Sequence, residues 1–111
     1  MRFKSGSMQL QTFTEQVVEM IQSIPKGRVS TYGALARAAG NPRAARQVAR
    51  ILHACSEKEN LPWWRVVNRK GQIALKPGYG FEEQESLLLE EDVEVDRSGR
   101  IDLERYLWST L

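Results

Sequence analysis

Hydrophobic residues near the start of the chain recur three or four positions apart, and that spacing predicts a helix with one buried face. They are Phe13, Val17, Met20, Ile21 and Ile24. Thr12 or Thr14 is suited to cap the N-terminus of this helix, and Pro25 followed by Gly27 ends it.

Two further helices follow a short extended segment. Tyr32–Ala39 is alanine-rich, and Gly40 suits its C-terminus. Asn41 as cap and Pro42 in the first turn predict a next helix that runs to about residue 54. Its predicted buried stripe is Ala45, Val48 and Leu52. Two helices joined by a tight glycine turn predict a helix-turn-helix.

Short extended runs and turns make up much of the second half. We expect a small β-hairpin of residues 65–67 and 72–74, a rigid loop 76–80, a helix 82–91, a second hairpin 93–103, and a return of residues 106–108 to the core.

Length and composition indicate one domain. We expect residues 1–11 to be disordered or extended and residues 12–111 to form a single domain. No apolar run is long enough for a membrane helix. The single cysteine allows no intramolecular disulfide, so we expect a cytoplasmic protein, and because no heptad pattern supports a dimer, we expect a monomer. One cysteine and one histidine cannot build the usual zinc site, and we predict no metal and no cofactor.

Charge is unevenly distributed along the chain. No Asp or Glu lies between Met20 and Ser56, whereas 82–104 holds ten acidic residues against Arg97 and Arg100. The basic residues of the first stretch are Lys26, Arg28, Arg37, Arg43, Arg46 and Arg50. A basic half and an acidic half are typical of nucleic-acid binding, although they also occur in proteins that bind none.

The third predicted helix carries a basic face. Arg43, Arg46 and Arg50 fall within roughly 60° of one another on a helical wheel, and His53 extends the stripe. Such a face suits phosphates; a solvated basic face is the alternative.

Adjacent tryptophans follow a proline at a loop-to-strand junction. The side chains of Trp63 and Trp64 are suited to line a slot for a flat ligand such as a base. The alternative is that both belong to a small core, and for Trp64 we favour that interpretation.

Three motifs together are specific. Thr31-Tyr32, 40–46 (GNPRAAR) and 62–67 (PWWRVV) resemble the C-terminal domain of the O6-alkylguanine-DNA alkyltransferases. That family has Pro-Cys-His-Arg-Val where this chain has Pro-Trp-Trp-Arg-Val. Tryptophan at the cysteine position marks the alkyltransferase-like proteins, which are non-catalytic relatives. The resemblance implies a mainly α, winged-helix-like helix-turn-helix domain of the alkyltransferase C-terminal type, with a small β-hairpin.

The resemblance also implies roles in DNA binding. Arg46 matches the arginine that fills the space left by a flipped nucleotide, and Tyr32 matches the tyrosine that turns the target's 3′ phosphate. The helix-turn-helix of this family lies in the minor groove. The DNA-binding residues it implies are Thr31, Tyr32, Gly33, Asn41, Pro42, Arg43, Ala44, Ala45, Arg46, Arg50 and His53.

An alkylguanine pocket is implied in the same way. Trp63 would form its wall, the carbonyls of Trp63 and Val66 would bind the guanine amino group, and Lys76 would lie against the ring. Glu91 matches a glutamate of the family's charge relay. The implied pocket residues are Tyr32, Trp63, Arg65, Val66, Lys76, Pro77 and Gly78.

Two departures bear on activity. Trp64 stands where the family has histidine, and Cys55 stands where it usually has asparagine. The resemblance therefore implies a protein that flips O6-alkylguanine in duplex DNA, transfers no alkyl group and marks the lesion for nucleotide excision repair proteins. Two alternatives remain open: an alkyltransferase enzyme using Cys55, and a helix-turn-helix transcription regulator.

Overall fold

The computed structural model describes residues 11–109, so all but the last residue of the predicted N-terminal segment lies outside the described residues. The helices are α1 (Phe13–Ser23), α2 (Tyr32–Ala38), α3 (Ala45–Cys55), α4 (Phe81–Glu90) and α5 (Leu103–Tyr106). A 3-10 turn, Trp63–Arg65, precedes strand β2 (Val66–Val67), which pairs with β1 (Ser30–Thr31). The prediction of a mainly helical fold is confirmed, whereas the small β element is a parallel pair of strands and not the predicted hairpin.

Helix α1 forms where the hydrophobic spacing predicts it. The hydroxyl of Thr12 accepts the Glu15 N–H at 3.0 Å, and the Glu15 carboxylate accepts the Thr12 N–H at 2.9 Å. This reciprocal pair satisfies two N–H groups that the helix start would otherwise leave unpaired. Val17 and Ile21 are fully buried on the inner face.

The turn between α2 and α3 differs from the prediction. Gly40 has φ +92°, its N–H donates to Arg37 O, and the Asn41 N–H donates to Ala36 O at 2.9 Å. These bonds form a Schellman motif that closes α2 and uses the backbone of Asn41. Asn41 is therefore not the cap of α3. That helix begins at Ala45, three residues later than predicted, and no side chain caps it.

Strand pairing also differs. Ser30 pairs with Val66 and Thr31 with Val67 in a parallel arrangement, so β2 belongs with the entry to α2. Residues 68–72 form a turn closed by the Asn68 N–H on Gln72 O, and Gln72 bridges Arg100. The second predicted hairpin, residues 93–103, does not form either: the chain turns at 96–100, no strand lies within these residues, and the chain continues into α5.

The hydrophobic core has two clusters. Successive residues of β2 point to opposite faces of the small sheet, so Val66 packs into the first cluster and Val67 into the second. The first cluster is built from α1, α2 and α3. The second joins Leu88 of α4 to the C-terminal part of the chain, where Tyr106 is buried as predicted, whereas Leu107, expected to return to the core with it, is exposed. The two residues of β2 thus tie the helix-turn-helix to the rest of the domain.

Candidate nucleic-acid interface

The predicted basic face lies on the surface. Arg46, Arg50 and His53 are exposed on α3, four and then three residues apart, and therefore on one side of the helix. Arg43 is exposed in the turn before α3 rather than on the helix itself. The backbone N–H of Arg43 donates to the side chain of Asn41 at 3.3 Å, which fixes this turn. The neighbouring Pro42 is exposed as well, whereas Ala44 is buried.

The start of α2 lies beside this face. The hydroxyl of Thr31 accepts the Ala34 N–H at 3.0 Å and caps the helix. Tyr32 is half-buried, and burial raises the pKa of its hydroxyl, which keeps the phenol protonated and able to donate a hydrogen bond at neutral pH. A side chain built at Gly33 would meet open space, so nothing crowds this first turn of α2.

A cavity of about 380 Å³ opens between α2, α3 and the start of α4. Its size lies at the lower end of the range of small-molecule sites, roughly 300–1,000 Å³. The lining residues are Tyr32, Ala49, Leu52, His53, Ser56, Trp63, Val66, Leu75, Tyr79, Gly80, Glu83 and Gln84. Three predicted pocket residues, Tyr32, Trp63 and Val66, are thus brought together here.

The other predicted pocket residues do not line the cavity. Lys76, Pro77 and Gly78 are exposed in the loop before α4, and the next residues of that loop, Tyr79 and Gly80, reach the wall instead. Tyr79 is 80% exposed, which is unusual for an aromatic side chain. Leu75 and Tyr79 carry the two large apolar side chains of this loop. Their presence is a sequence signal for the cavity wall, and the predicted pocket did not include them.

Arg65 turns away from the cavity, toward Glu91. Its guanidinium donates to the Glu91 carboxylate at 2.6–3.1 Å and to Ile24 O at 2.8 Å. The same carboxylate accepts the indole N–H of Trp64 at 2.9 Å and the N–H of Gly27 at 3.1 Å. Glu91, which matches the family's relay glutamate, is therefore fully engaged. Its bonds hold in place the residues that follow Trp63 in the chain.

The charge of Glu91 reflects these contacts. Burial alone would raise the pKa of its carboxyl, but hydrogen bonds from Arg65, the Gly27 N–H and Trp64, together with the charge of Arg65, lower that pKa below its ordinary value. Glu91 is therefore ionised at neutral pH. It provides no free proton acceptor for a neighbouring group.

The two tryptophans have different environments. Trp63 lines the cavity, and its ring meets that of Trp64 edge-to-face, at 6.0 Å between centroids and 87° between planes. Trp64 packs against the second core cluster and lies under the Arg65 guanidinium, 5.3 Å from its ring centre. These contacts match the interpretation of Trp64 as a core residue.

Cys55 lies outside the cavity wall. It is the last residue of α3, half-buried, and packs against the first core cluster. No group of three or more metal-ligating side chains occurs within residues 11–109. Over the same span, no helix is long and apolar enough to cross a membrane.

These features define a helix-turn-helix domain with an aromatic-edged cavity beside a basic face. The family model for the DNA-binding domain of 6-O-methylguanine DNA methyltransferase matches residues 12–93. The chain belongs to this family, as its motifs suggest.

Known relatives agree with this assignment. A DNA base-flipping protein of Escherichia coli K12 is 48% identical over 98 residues, and the matched region covers 88% of this chain and 75% of that protein. A DNA base-flipping protein of Vibrio parahaemolyticus is 44% identical over 96 residues, and the matched region covers 86% of this chain and 95% of that protein. The crystal structure of Schizosaccharomyces pombe Atl1 in complex with damaged DNA containing O6-carboxymethylguanine has a TM-score of 0.80 at 34% identity, covering 92% of this chain and 99% of that one.

Proposed function

We propose that this protein binds duplex DNA, flips an O6-alkylated guanine into the cavity edged by Trp63, and transfers no alkyl group. The observation that carries the proposal is the cavity itself. It combines an indole wall with the α2 tyrosine, opens beside the basic face of α3, and has no thiol among the described residues that line it. Relatives named as base-flipping proteins, and one crystallised on alkylated DNA, support the same function.

Each element of the interface has a role in this proposal. Arg43 and Arg50 bind the phosphate backbone. Arg46 enters the base stack where the guanine leaves it, and Tyr32 donates to the phosphate beside the flipped nucleotide. The small, half-buried side chain of Ala45 lets the start of α3 approach the floor of the minor groove, whereas Ala44 packs in the first core cluster and supports this turn from inside. Extrusion costs a few kcal/mol, and less for a poorly paired lesion, which favours alkylated over normal guanine.

The position of the family's reactive cysteine offers no thiol for alkyl transfer. Transfer to protein requires a thiolate activated by a neighbouring base. Indole carbon and nitrogen are poor nucleophiles at neutral pH, and Trp63 supplies only these. Cys55 is half-buried at the end of α3 and does not line the cavity. These facts favour binding without chemistry over an enzyme that uses Cys55.

Incubation with O6-methylguanine DNA should leave the protein mass unchanged. The physical reason is that Trp63 replaces the thiol and Glu91 is already engaged by Trp64 and Arg65. Intact-mass spectrometry after prolonged incubation measures this directly, and an active alkyltransferase run in parallel is the positive control. A methyl adduct on Cys55 would establish the enzyme function instead.

Lesion recognition is tested with one duplex prepared with and without O6-methylguanine. We expect tighter binding to the alkylated duplex and a fluorescence increase from a 2-aminopurine placed beside the lesion, because the stack opens there. Equal affinity for the two duplexes would overturn the proposed function. Strong dependence on the surrounding sequence would favour a transcription regulator.

Arg43→Ala and Arg50→Ala should weaken binding to alkylated and normal DNA by the same factor. Each variant removes one phosphate contact, so the slope of log K against log salt should fall by about 0.9. Titrations at several salt concentrations measure the slope. A variant that loses only the preference for the lesion would contradict a backbone role.

We further propose that the protein acts as a single domain and a monomer in the cytoplasm, associated with the nucleoid when bound to DNA. A complex that completes no chemistry persists, and a persistent complex is suited to recruit nucleotide excision repair proteins. Light scattering of the free protein and of the complex tests the stoichiometry. Pull-down of excision repair proteins on alkylated DNA, with and without this protein, tests the recruitment.

A further inference from the structure

A short basic turn directly follows β2. It comprises residues 68–71, here called the basic turn, and it carries Arg69 and Lys70 at its exposed tip. Neither side chain forms an ion pair with any residue from 11 to 109. The functional site described so far makes no use of these two charges.

The β pairing sets where this turn lies. Thr31 pairs with Val67, and the two strands run parallel. The residues that directly follow the two strands are therefore near neighbours. They are Tyr32, at the start of α2, and Asn68, at the start of the basic turn. Paired strands lie about 4.8 Å apart, so the turn leaves the sheet beside the residue proposed to meet a DNA phosphate.

The turn is held rigidly. The side-chain oxygen of Asn68 accepts the N–H groups of Lys70 and Gln72, each at 2.9 Å. Gly71 has φ +81°, and a Cβ there would lie 2.5 Å from Ile101 O. The Gly71 carbonyl also accepts the Ile101 N–H at 2.8 Å. The backbone that carries the two charges is thus fixed before any ligand arrives, which reduces the entropy lost on binding.

We propose that Arg69 and Lys70 bind DNA phosphates next to the one that Tyr32 contacts, so that the duplex is held by the basic turn as well as by α3. This inference rests on the proposed DNA binding and extends its contact surface to a second element. Arginine and lysine donors suit phosphate oxygens, and such contacts fix register without reading sequence.

The test compares Arg69→Ala and Lys70→Ala with Lys26→Ala. Lys26 is also exposed, and its substitution by alanine also removes one positive charge. It precedes β1, however, and so lies at the opposite end of that strand from Tyr32. We expect each basic-turn variant to lower the salt slope by about 0.9 and the double variant by about twice that. Affinity should fall equally for alkylated and normal duplex, while Arg69→Lys should keep the slope.

The outcomes separate the two proposals. If the wild-type protein prefers alkylated DNA and both basic-turn variants behave like Lys26→Ala, the basic turn is not a phosphate contact and the proposed function stands. If the wild-type protein shows no DNA binding, the proposed function itself fails. Thermal unfolding of each variant checks that the exposed substitutions leave the domain folded.

Discussion

Glu91→Gln will lower the free energy of unfolding by roughly 2–3 kcal/mol, because it leaves the guanidinium of Arg65 without its counter-charge in a mostly buried site. A loss of this size in a domain of this length lowers Tm by about 10 °C or more. Chemical denaturation at neutral pH measures it. Glu90→Gln, a neighbouring exposed glutamate on α4, is the matched control and should change little. Equal stability of the two variants would show that the Arg65–Glu91 pair contributes nothing.

The same pair makes stability depend on pH. The pKa of Glu91 is lowered in the folded state, so its contribution is complete above the ordinary pKa of a carboxyl group and is lost as the pH falls through the lowered value. The difference between wild type and Glu91→Gln should therefore shrink in acid. A difference that stays constant from neutral pH to about pH 3 would mean that the Glu91 charge is not responsible.

Arg46→Ala will remove most of the preference for alkylated DNA, by roughly tenfold to a hundredfold, and leave much of the non-specific affinity intact. An arginine that fills the vacated stack offsets a few kcal/mol of unstacking. Normal guanine stays paired, so the affinity for normal duplex does not depend on that arginine in the same way. The measurement is the ratio of affinities for alkylated and normal duplex.

Arg43→Ala is the matched control for that experiment, because both arginines are exposed and lie three residues apart beside the same turn. Arg43→Ala should weaken both duplexes alike. If Arg46→Ala gives the same unchanged ratio, Arg46 is only a phosphate contact and the cavity around Trp63 must provide the discrimination.

Local signals are sufficient to predict α1, α2 and α4, but not the short helix α5. The capping pair of Thr12 and Glu15 lies within one turn, and the buried stripe of α1 can be read directly from its spacing. The predicted start of α3 is wrong because Asn41, which suits a helix cap, already completes the motif that closes α2. A residue that fits two adjacent roles cannot be assigned from its type alone.

The strand pairing depends on contacts distant in sequence. Val66 and Val67 are followed by a turn, which favours a hairpin, yet they pair with residues 30–31 on the other side of the helix-turn-helix. The site is predictable only in part for the same reason. Trp63 and Tyr32 belong to recognisable motifs, whereas Leu75 and Tyr79 reach the cavity only because of how the loop before α4 folds.

The hydrogen bond between Trp64 and Glu91 also constrains how this protein can evolve. A tryptophan codon becomes a cysteine codon by a single base change, so a thiol at position 63 is easily reached by mutation. That thiol would find the Glu91 carboxylate already occupied by an indole N–H and a guanidinium, with no imidazole between them. Because position 64 would have to change as well, and histidine is not one base change from tryptophan, alkyl transfer of the family's Cys-His type is separated from the present sequence by intermediates that gain nothing.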